Sequence, residues 1–488
     1  MNRGFFAEAL NPLSQRLDQQ QFRGFQVNGG IGFAAVGGLP RTPFDGDYDN
    51  IQPRIGAAYQ LTPKTVLRGG WGIFYLSPIS RGYSHGFSIA TPYVATLDAG
   101  RTPANNVSNP WPSGVLQPSG AGLGLETFLG QGPTFSDPTS RVPWVQQFSF
   151  GVQRQLPGNI TVDASYVGSR TRGAVLSKPF NELPLDVLNL GNPSLGGNPN
   201  FLNQPVPNPF QNLIPGTALN ASTVPRQQLL RPYPQFTGFS IEQVNDGRIW
   251  YNSLQVTATK RYSHGLSFTT TYTLSKNIEA IDYLNTQDRA PTRTLTDWDR
   301  THRLVIAPSY ELPFGAGRKF LANSNRLVKG LVGGWQGVFT TVIQSGDPMS
   351  IPGNVYLLGD PRVPNPTFDR LFKTGVIDVN GTVRNVQPGE QPVYQIRPPF
   401  SLRTTPLRYG NLRNQWATTL DCSLIKNTVI RENWNVQFRV DAFNAFNTPV
   451  FSSDPNLDPT SPNFGKIFPD NGQSNFPRNI QLGIRLVF

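Results

Sequence analysis

Two short stretches gather acidic residues at spacings that suit chemistry. Asp45, Asp47 and Asp49 alternate in FDGDYDN, a spacing that offers oxygen ligands to a hard cation such as calcium. A calcium loop of the EF-hand kind begun at Asp45 needs a glutamate at its last position, and Gly56 stands there. The trio is therefore a weak calcium candidate, with an Asp-rich turn as the plainer reading. In DWDRTHR, Asp297, Asp299 and His302 combine two carboxylates with an imidazole, the ingredients of metal binding or proton transfer. The stretch lies at the start of a strand pattern, where a hydrogen-bonded loop anchor is the simpler role. His85, His264 and His302 are far apart in sequence, and a single cysteine, Cys422, excludes an internal disulfide framework. No nucleophile elbow, zinc-protease helix, paired-cysteine or phosphate-loop motif stands in a supporting context. The chemistry points to a chain that is not an enzyme and needs no cofactor.

Aromatic residues in loop-like sequence are the other candidates. Trp111 in NPWPSG, Tyr233 and Phe236 in RPYPQFTGF, and Tyr356 carry rings that could stack on sugars or glycan-like ligands. Packing within the loops is the alternative for each.

The elements that would position these residues follow from composition and period. Over 488 residues only 15 % are charged and 38 % hydrophobic, while aromatics reach 11 %, against about 25 % charge in ordinary soluble domains. Gly, Pro, Asn, Gln, Ser and Thr fill the deficit, as expected for strands joined by long polar loops. The net charge of +12 comes from scattered arginines without a basic stripe, which argues against a nucleic-acid partner. No apolar run has the roughly 18 residues of a membrane-crossing helix. The first residues, MNRGFFAEALNPLSQRLDQQ, lack the pattern of a signal peptide, so either a cytoplasmic chain or a late start is expected, and the strands decide.

In NWNVQFRVDAFNAFN, Trp434, Val436, Phe438, Val440 and Ala442 alternate with Asn435, Gln437, Arg439 and Asp441. That is the period of a strand with one apolar face. Leu67, Trp71, Ile73 and Tyr75 oppose Arg68 and glycines; Leu254, Val256 and Ala258 oppose Gln255, Thr257 and Thr259; Leu266, Phe268, Tyr272 and Leu274 oppose Ser and Thr. Eleven such segments are expected, at about 51–61, 64–75, 145–156, 159–170, 251–261, 266–276, 302–312, 334–345, 416–427, 433–446 and 479–488. Several have the roughly 9–11 residues that a tilted strand needs to cross a bilayer. Short connections alternate with long ones, at 76–144, 171–250, 277–301, 346–415 and 448–478. Turns on one side and long loops on the other are the asymmetry of an outer-membrane β-barrel. The polar face is Ser, Thr, Gln, Asn and Gly rather than Lys and Glu, which suits a lumen. Trp335, Trp416, Trp434, Tyr251, Tyr75 and Phe488 near strand ends fit interfacial girdles.

The last strand, NIQLGIRLVF, sets Ile480, Leu482, Ile484, Leu486 and Phe488 on one face and Gln481, Gly483, Arg485 and Val487 on the other. Gln481, Gly483, Leu486 and Phe488 resemble the terminal-strand signal of bacterial outer-membrane barrels, which implies recognition by the barrel-assembly machinery. The C-terminus is then periplasmic and every long loop is external.

NIQPRIGAAYQLTPKTVLRGGWGIFY (Asn50–Tyr75), DWDRTHRLVIAPSYELPFGAGRKFL (Asp297–Leu321) and FRVDAFNAFNTPVF (Phe438–Phe451), with the closing PRNIQLGIRLVF, resemble the C-terminal barrel of Oar-like TonB-dependent receptors. The resemblance runs from about Phe22 to Phe488 and includes FAAVGGLPRTPFDGDYDN. It implies an acidobacteria-like outer-membrane protein in contact with lipid, an unidentified extracellular ligand, and energised uptake of that large ligand or surface adhesion. It also implies coupling to TonB through an N-terminal region not found in these residues, along with a plug. The expected architecture is all-β, an antiparallel transmembrane barrel with long extracellular loops. About 11–12 strands are expected, the C-terminal half of a wall of about 22, with a twelfth strand in Gln21–Val36. Residues 1–50 read as a partial strand and loop, and 51–488 as barrel. A passive channel or surface adhesin is the alternative function, and a soluble β-rich glycan-binding protein the second.

Overall fold

Alternating faces leave these segments one way to satisfy their backbones, which is to lie side by side with the faces in phase. The computed structural model describes residues 1–76, 86–88, 91, 93, 96, 101–103, 105–112, 114–431, 434–451, 455–467 and 473–488. Eleven strands form one antiparallel meander in chain order. They are β1 (Arg54–Thr62), β2 (Thr65–Tyr75), β3 (Trp144–Leu156), β4 (Ile160–Phe180), β5 (Phe239–Ser263) and β6 (Leu266–Ala280). Next come β7 (His302–Glu311), β8 (Trp335–Gln344), β9 (Ala417–Arg431), β10 (Trp434–Phe443) and β11 (Asn479–Val487). Each expected segment is a strand of this sheet. Asn433, the first residue expected in the tenth, lies outside the described residues.

The register keeps the two faces in phase across the sheet. On the apolar face Leu482 stands opposite Val440, Val440 opposite Leu424, and further on Tyr310 opposite Leu266. On the polar face Gln481 stands opposite Asp441, Asp441 opposite Ser423, and Ser309 opposite Ser267. The same order continues through Leu254, Tyr166 and Phe150 on one face and Gln255, Ser165 and Gly151 on the other. A one-residue slip at any pair would invert this arrangement. Turn chemistry also fixes the register. His264 and Gly265, at φ of 54° and 78°, join β5 to β6, the left-handed pair that a tight two-residue hairpin requires.

Gln21–Val36 adds no twelfth strand to the sheet. Only Ile31–Phe33 is extended, and it pairs with Asn2–Phe5 in a separate two-stranded ribbon. Gly29, Gly30 and Gly32 crowd this stretch, leaving too few side chains to clothe a lipid face.

Neither face of the sheet is covered by a packed core. Most buried apolar residues lie outside the strands' membrane-length parts, in the N-terminal segment, the long connections and the strand ends that meet them, and they gather in two clusters. One gathers Leu13, Val27, Leu129, Phe210, Phe236 and Phe239. The other gathers Met349, Val355, Phe372, Val376, Tyr394 and Phe464. Strand β4 runs 21 residues and β5 runs 25, well past the roughly 9–11 that a bilayer needs. Their upper halves pair through irregularities between Ile241 and Arg248 and rise toward the first cluster, where Leu176 and Val244 are buried. All five long connections leave the same rim of the meander, and the opposite rim holds the short turns and the connection that contains a helix at Arg326–Val332.

Candidate functional site

Three regions can act: the apolar face, the polar face, and the rim of loops. On the apolar face large side chains stand open. Leu482 is 72 %, Ile484 78 % and Phe488 83 % exposed, and Ile55, Tyr59, Phe150, Tyr166, Leu254, Phe339 and Leu424 are exposed beside them. Burying one such side chain yields roughly 1.5–3 kcal/mol, so a whole face of them demands an apolar solvent. The face ends in aromatics at both rims. On the turn side, Lys426 donates to the carbonyls of Gly330 and Gly333 at 2.6 and 2.7 Å, with its ammonium 5.2 Å from the Trp335 ring. The Trp434 and Phe488 rings lie 5.7 Å apart at this rim. On the loop side, His302 stacks between Tyr272 and Trp416, and its Nδ1 is 2.8 Å from the Tyr272 hydroxyl. Tyr251 departs from the girdle expectation. It stands opposite Ser169 and Asn277, in phase with Gln255, so the polar face carries it and its neighbour Trp250 takes the apolar side.

The polar face is a network of short side chains and a few ion pairs. Arg68 donates to Gln153 at 2.6 Å and to Asp163 at 2.9 Å, and Ser165 donates to Asp163 at 2.6 Å. Farther along, Gln336 donates to Ser309 at 2.7 Å and Gln437 to Asn427 at 2.9 Å, and Asp441 receives both Ser423 and Arg439. Near β1 a cavity of about 480 Å³ mixes Arg54, Gln147, Ser149 and Ser169 with apolar walls from Trp71, Phe74, Phe148, Val167 and the Tyr251 ring, and the Arg54 guanidinium lies 4.5 Å over the Phe74 ring. The polar network suits water and polar solutes.

At the loop rim, DWDRTHR is an anchor. The Asp299 carboxylate, 1 % exposed, accepts the Asn277 amide at 2.7 Å, standing in for a backbone carbonyl where the β6–β7 ladder gives way to the loop. It also accepts Arg413 Nη2 at 2.6 Å, and Arg413 Nη1 reaches the carbonyls of Gly346 and Asp299. Arg408 bonds Glu279 at 2.5 Å and also Asp297. The connection at 345–416 is thereby tied to the head of β6. The partners Arg408 and Arg413 had no motif to announce them. They lie more than 100 residues from the acids they meet.

The other expected residues are placed as follows. Asp45 pairs with Arg3, while Asp47 accepts the Val142 amide at 2.7 Å and lies 3.5 Å from Arg141. The Val142 hydrogen bond, helped by Asp49 and Arg141, holds the Asp47 carboxyl below its usual range. Among the described residues no three of His, Cys, Asp or Glu gather to hold a metal. Phe236 is fully buried, and Tyr233 is half-buried with its ring 4.7 Å from Phe5 and 5.5 Å from Phe180. Both build the first loop cluster. Tyr356 is half-buried in a ribbon of Val355–Leu357 with Tyr394–Ile396, and Trp111 is partly exposed in the connection between β2 and β3. No ring contact joins Trp111 or Tyr356 to Tyr233 and Phe236 among the described residues. Gln481 and Gly483 lie on the polar side of β11, and Leu486 and Phe488 are exposed on the apolar side. His85 lies outside the described residues.

Solved structures that the chain resembles include outer-membrane receptors and transporters. The ferripyoverdine receptor FpvA of Pseudomonas aeruginosa superposes with a TM-score of 0.38 at 10% identity, covering 90% of this chain and 33% of its own. The outer membrane transporter YddB of Escherichia coli gives 0.39 at 8% identity, covering 90% and 40%. The siderophore receptor PirA of Acinetobacter baumannii gives 0.38 at 8% identity, covering 90% and 41%. The chain thus spans about a third to two fifths of the length of these structures. No curated protein matches the sequence. The family described as "Outer membrane beta barrel domain" matches residues 4–481, almost the whole chain. That match sets aside the soluble alternative and agrees with a sheet that has one lipid-suited face. The chain belongs to the outer membrane beta barrel domain family, and its place is the bacterial outer membrane.

Proposed function

We propose that these strands are part of the wall of an Oar-like TonB-dependent receptor that captures a large extracellular ligand and passes it inward. The observation that carries the reading is the gathering of every long connection, with both apolar clusters, on one rim of a wall whose other face is polar. A passive pore needs no such massive, internally packed superstructure, whereas a receptor needs rigid loops to recognise a ligand. Among the described residues β1 and β11 each keep one unpaired edge, which adds support. In lipid an unpaired edge leaves backbone groups unsatisfied at several kcal/mol each, so further strands complete the wall. Under this reading, TonB contacts and a plug come from other parts of the receptor, and Gln481, Gly483, Leu486 and Phe488 are read by the assembly machinery. The test is site-specific crosslinking of the natural gene product to TonB in energised cells. Capture that disappears when the proton gradient is collapsed is expected. A product that escapes TonB and conducts ions steadily in planar bilayers would instead make it a passive channel.

A further inference from the structure

The connection between β4 and β5, that between β6 and β7, and that between β8 and β9 meet around a cavity of about 480 Å³. This is within the usual range for ligand pockets, about 300–1,000 Å³. Its charge is one-sided, with Arg231, Arg397 and Arg403 facing a single carboxylate, Glu182. Glu182 comes no nearer than 3.8 Å to Arg231. Among the described residues neither Arg397 nor Arg403 has a carboxylate partner; both lean on backbone carbonyls. Arg403 donates through Nε to Thr405 and through Nη2 to Ile351 and Pro406, each at 2.9 Å. None of these bonds uses Nη1. That nitrogen lies beside Gly353, where an added Cβ would stand 3.0 Å from it, so the glycine keeps the approach open. Among the described residues the buried Nε of Arg231 has no hydrogen-bond partner, while its Nη1 donates to the Asn181 carbonyl at 2.6 Å.

The walls of the cavity are held together by side chains. Asn285 accepts the Arg403 amide at 2.7 Å and donates to its carbonyl at 3.2 Å, and Gln287 donates to the Leu183 carbonyl at 3.3 Å. The three loops thus fix the arginines before any ligand arrives. Burial, with the neighbouring charge of Arg397, pushes the Arg403 guanidinium below its ordinary range. Like charges held together at such a cost are stabilised by an anion, and the planar guanidinium fork matches carboxylate and phosphate oxygens.

We propose that this three-loop cavity binds an oxyanion group, carboxylate or phosphate, on a soluble extracellular ligand, with Arg397 and Arg403 as its principal contacts and Arg231 at its side. The proposal rests on the receptor reading above for its context, but its chemistry is tested separately. Phenylglyoxal labelling of the intact, folded receptor, read by mass spectrometry, reports each arginine without any mutation. Citrate and pyrophosphate are expected to slow labelling of Arg397 and Arg403 at least fivefold, with glucose as an inert control. Calorimetry with the same two anions is expected to show at least tenfold weaker binding in Arg397→Gln and Arg403→Gln. Normal heat-modifiable migration confirms that these variants are folded. Unchanged labelling in both anions would overturn the proposal, as would protection by lipopolysaccharide micelles alone, which would assign the arginines to lipid headgroups. Anion protection in a protein that TonB does not capture would leave the site standing and sink only the transport reading.

Discussion

Replacing Asp299 with alanine is expected to release the loop rim while leaving the membrane wall folded. The carboxylate is 1 % exposed and holds the Asn277 amide at 2.7 Å and Arg413 at 2.6 Å. Leaving the amide without an acceptor costs about 1–3 kcal/mol. Breaking a buried ion pair costs about 3–5 kcal/mol. Arg413 retains two carbonyl partners and its side chain is 22 % exposed, which places the combined loss near the low end, at about 3 kcal/mol. Each 1.4 kcal/mol is tenfold, so the connection at 345–416 should open about a hundredfold more often. Limited trypsinolysis after Arg403, Arg408 and Arg413 reads that opening when reclosing outruns cleavage. Asp299→Asn keeps an acceptor for the amide and loses only the charge, so its cleavage should rise about tenfold, matching roughly 1.4 kcal/mol. Asp299→Ala cleaved at the parental rate would refute the anchor, and so would a global loss of the folded barrel.

Other substitutions separate the faces and rims. Leu482→Arg, in mid-strand on the apolar face of β11, should lower stability in lipid by about 2–4 kcal/mol. Gln481→Arg next to it should change the urea midpoint little, and equal effects would contradict the facing. Arg68→Ala removes a partly exposed pair with Asp163, so stability should fall by no more than about 1 kcal/mol; a measured loss of several would show a drier lumen than this one. Lys426→Glu puts a carboxylate against the carbonyls of Gly330 and Gly333, and slower insertion into vesicles is expected, with parental kinetics counting against the snorkelling role. Deleting Phe488 should reduce assembled protein at the cell surface without altering ligand affinity in what does assemble, and undiminished surface levels would remove its role as an assembly signal.

The membrane wall was readable because lipid on one side and water on the other enforce a period of two on every strand. Runs such as Val436–Ala442 and Ile480–Leu486 read as strands with one apolar face, whether that face met lipid or a soluble core. The upper halves of β4 and β5 escaped because RTRGAVLSKPF and IEQVNDGR mix arginine, glycine and proline without alternation. Their pairing is imposed by neighbours and bulges rather than by local pattern. Tyr251 was misplaced for a related reason, since near a strand end the sequence alone did not say which of Trp250 and Tyr251 turns outward. The loop clusters were illegible altogether. Phe236 and Tyr233 look like exposed aromatics in a proline-rich loop, and contacts from distant segments, such as Phe5 and Phe180 against Tyr233, reveal them as core. Long-range pairing likewise hid Arg413 from Asp299, and it hid from one another the three arginines that share the loop cavity.

The central claim, that one face of this sheet meets lipid and the other meets water, is tested most directly by quenching from the acyl chains. With Cys422 replaced by serine, single cysteines at 481, 482, 439, 440, 423 and 424 carry a fluorophore in vesicles of brominated lipid. Quenching is predicted at 482, 440 and 424, with little at 481, 439 and 423, following the register of β9, β10 and β11. Uniform quenching, or quenching at the odd-numbered set, would contradict the account.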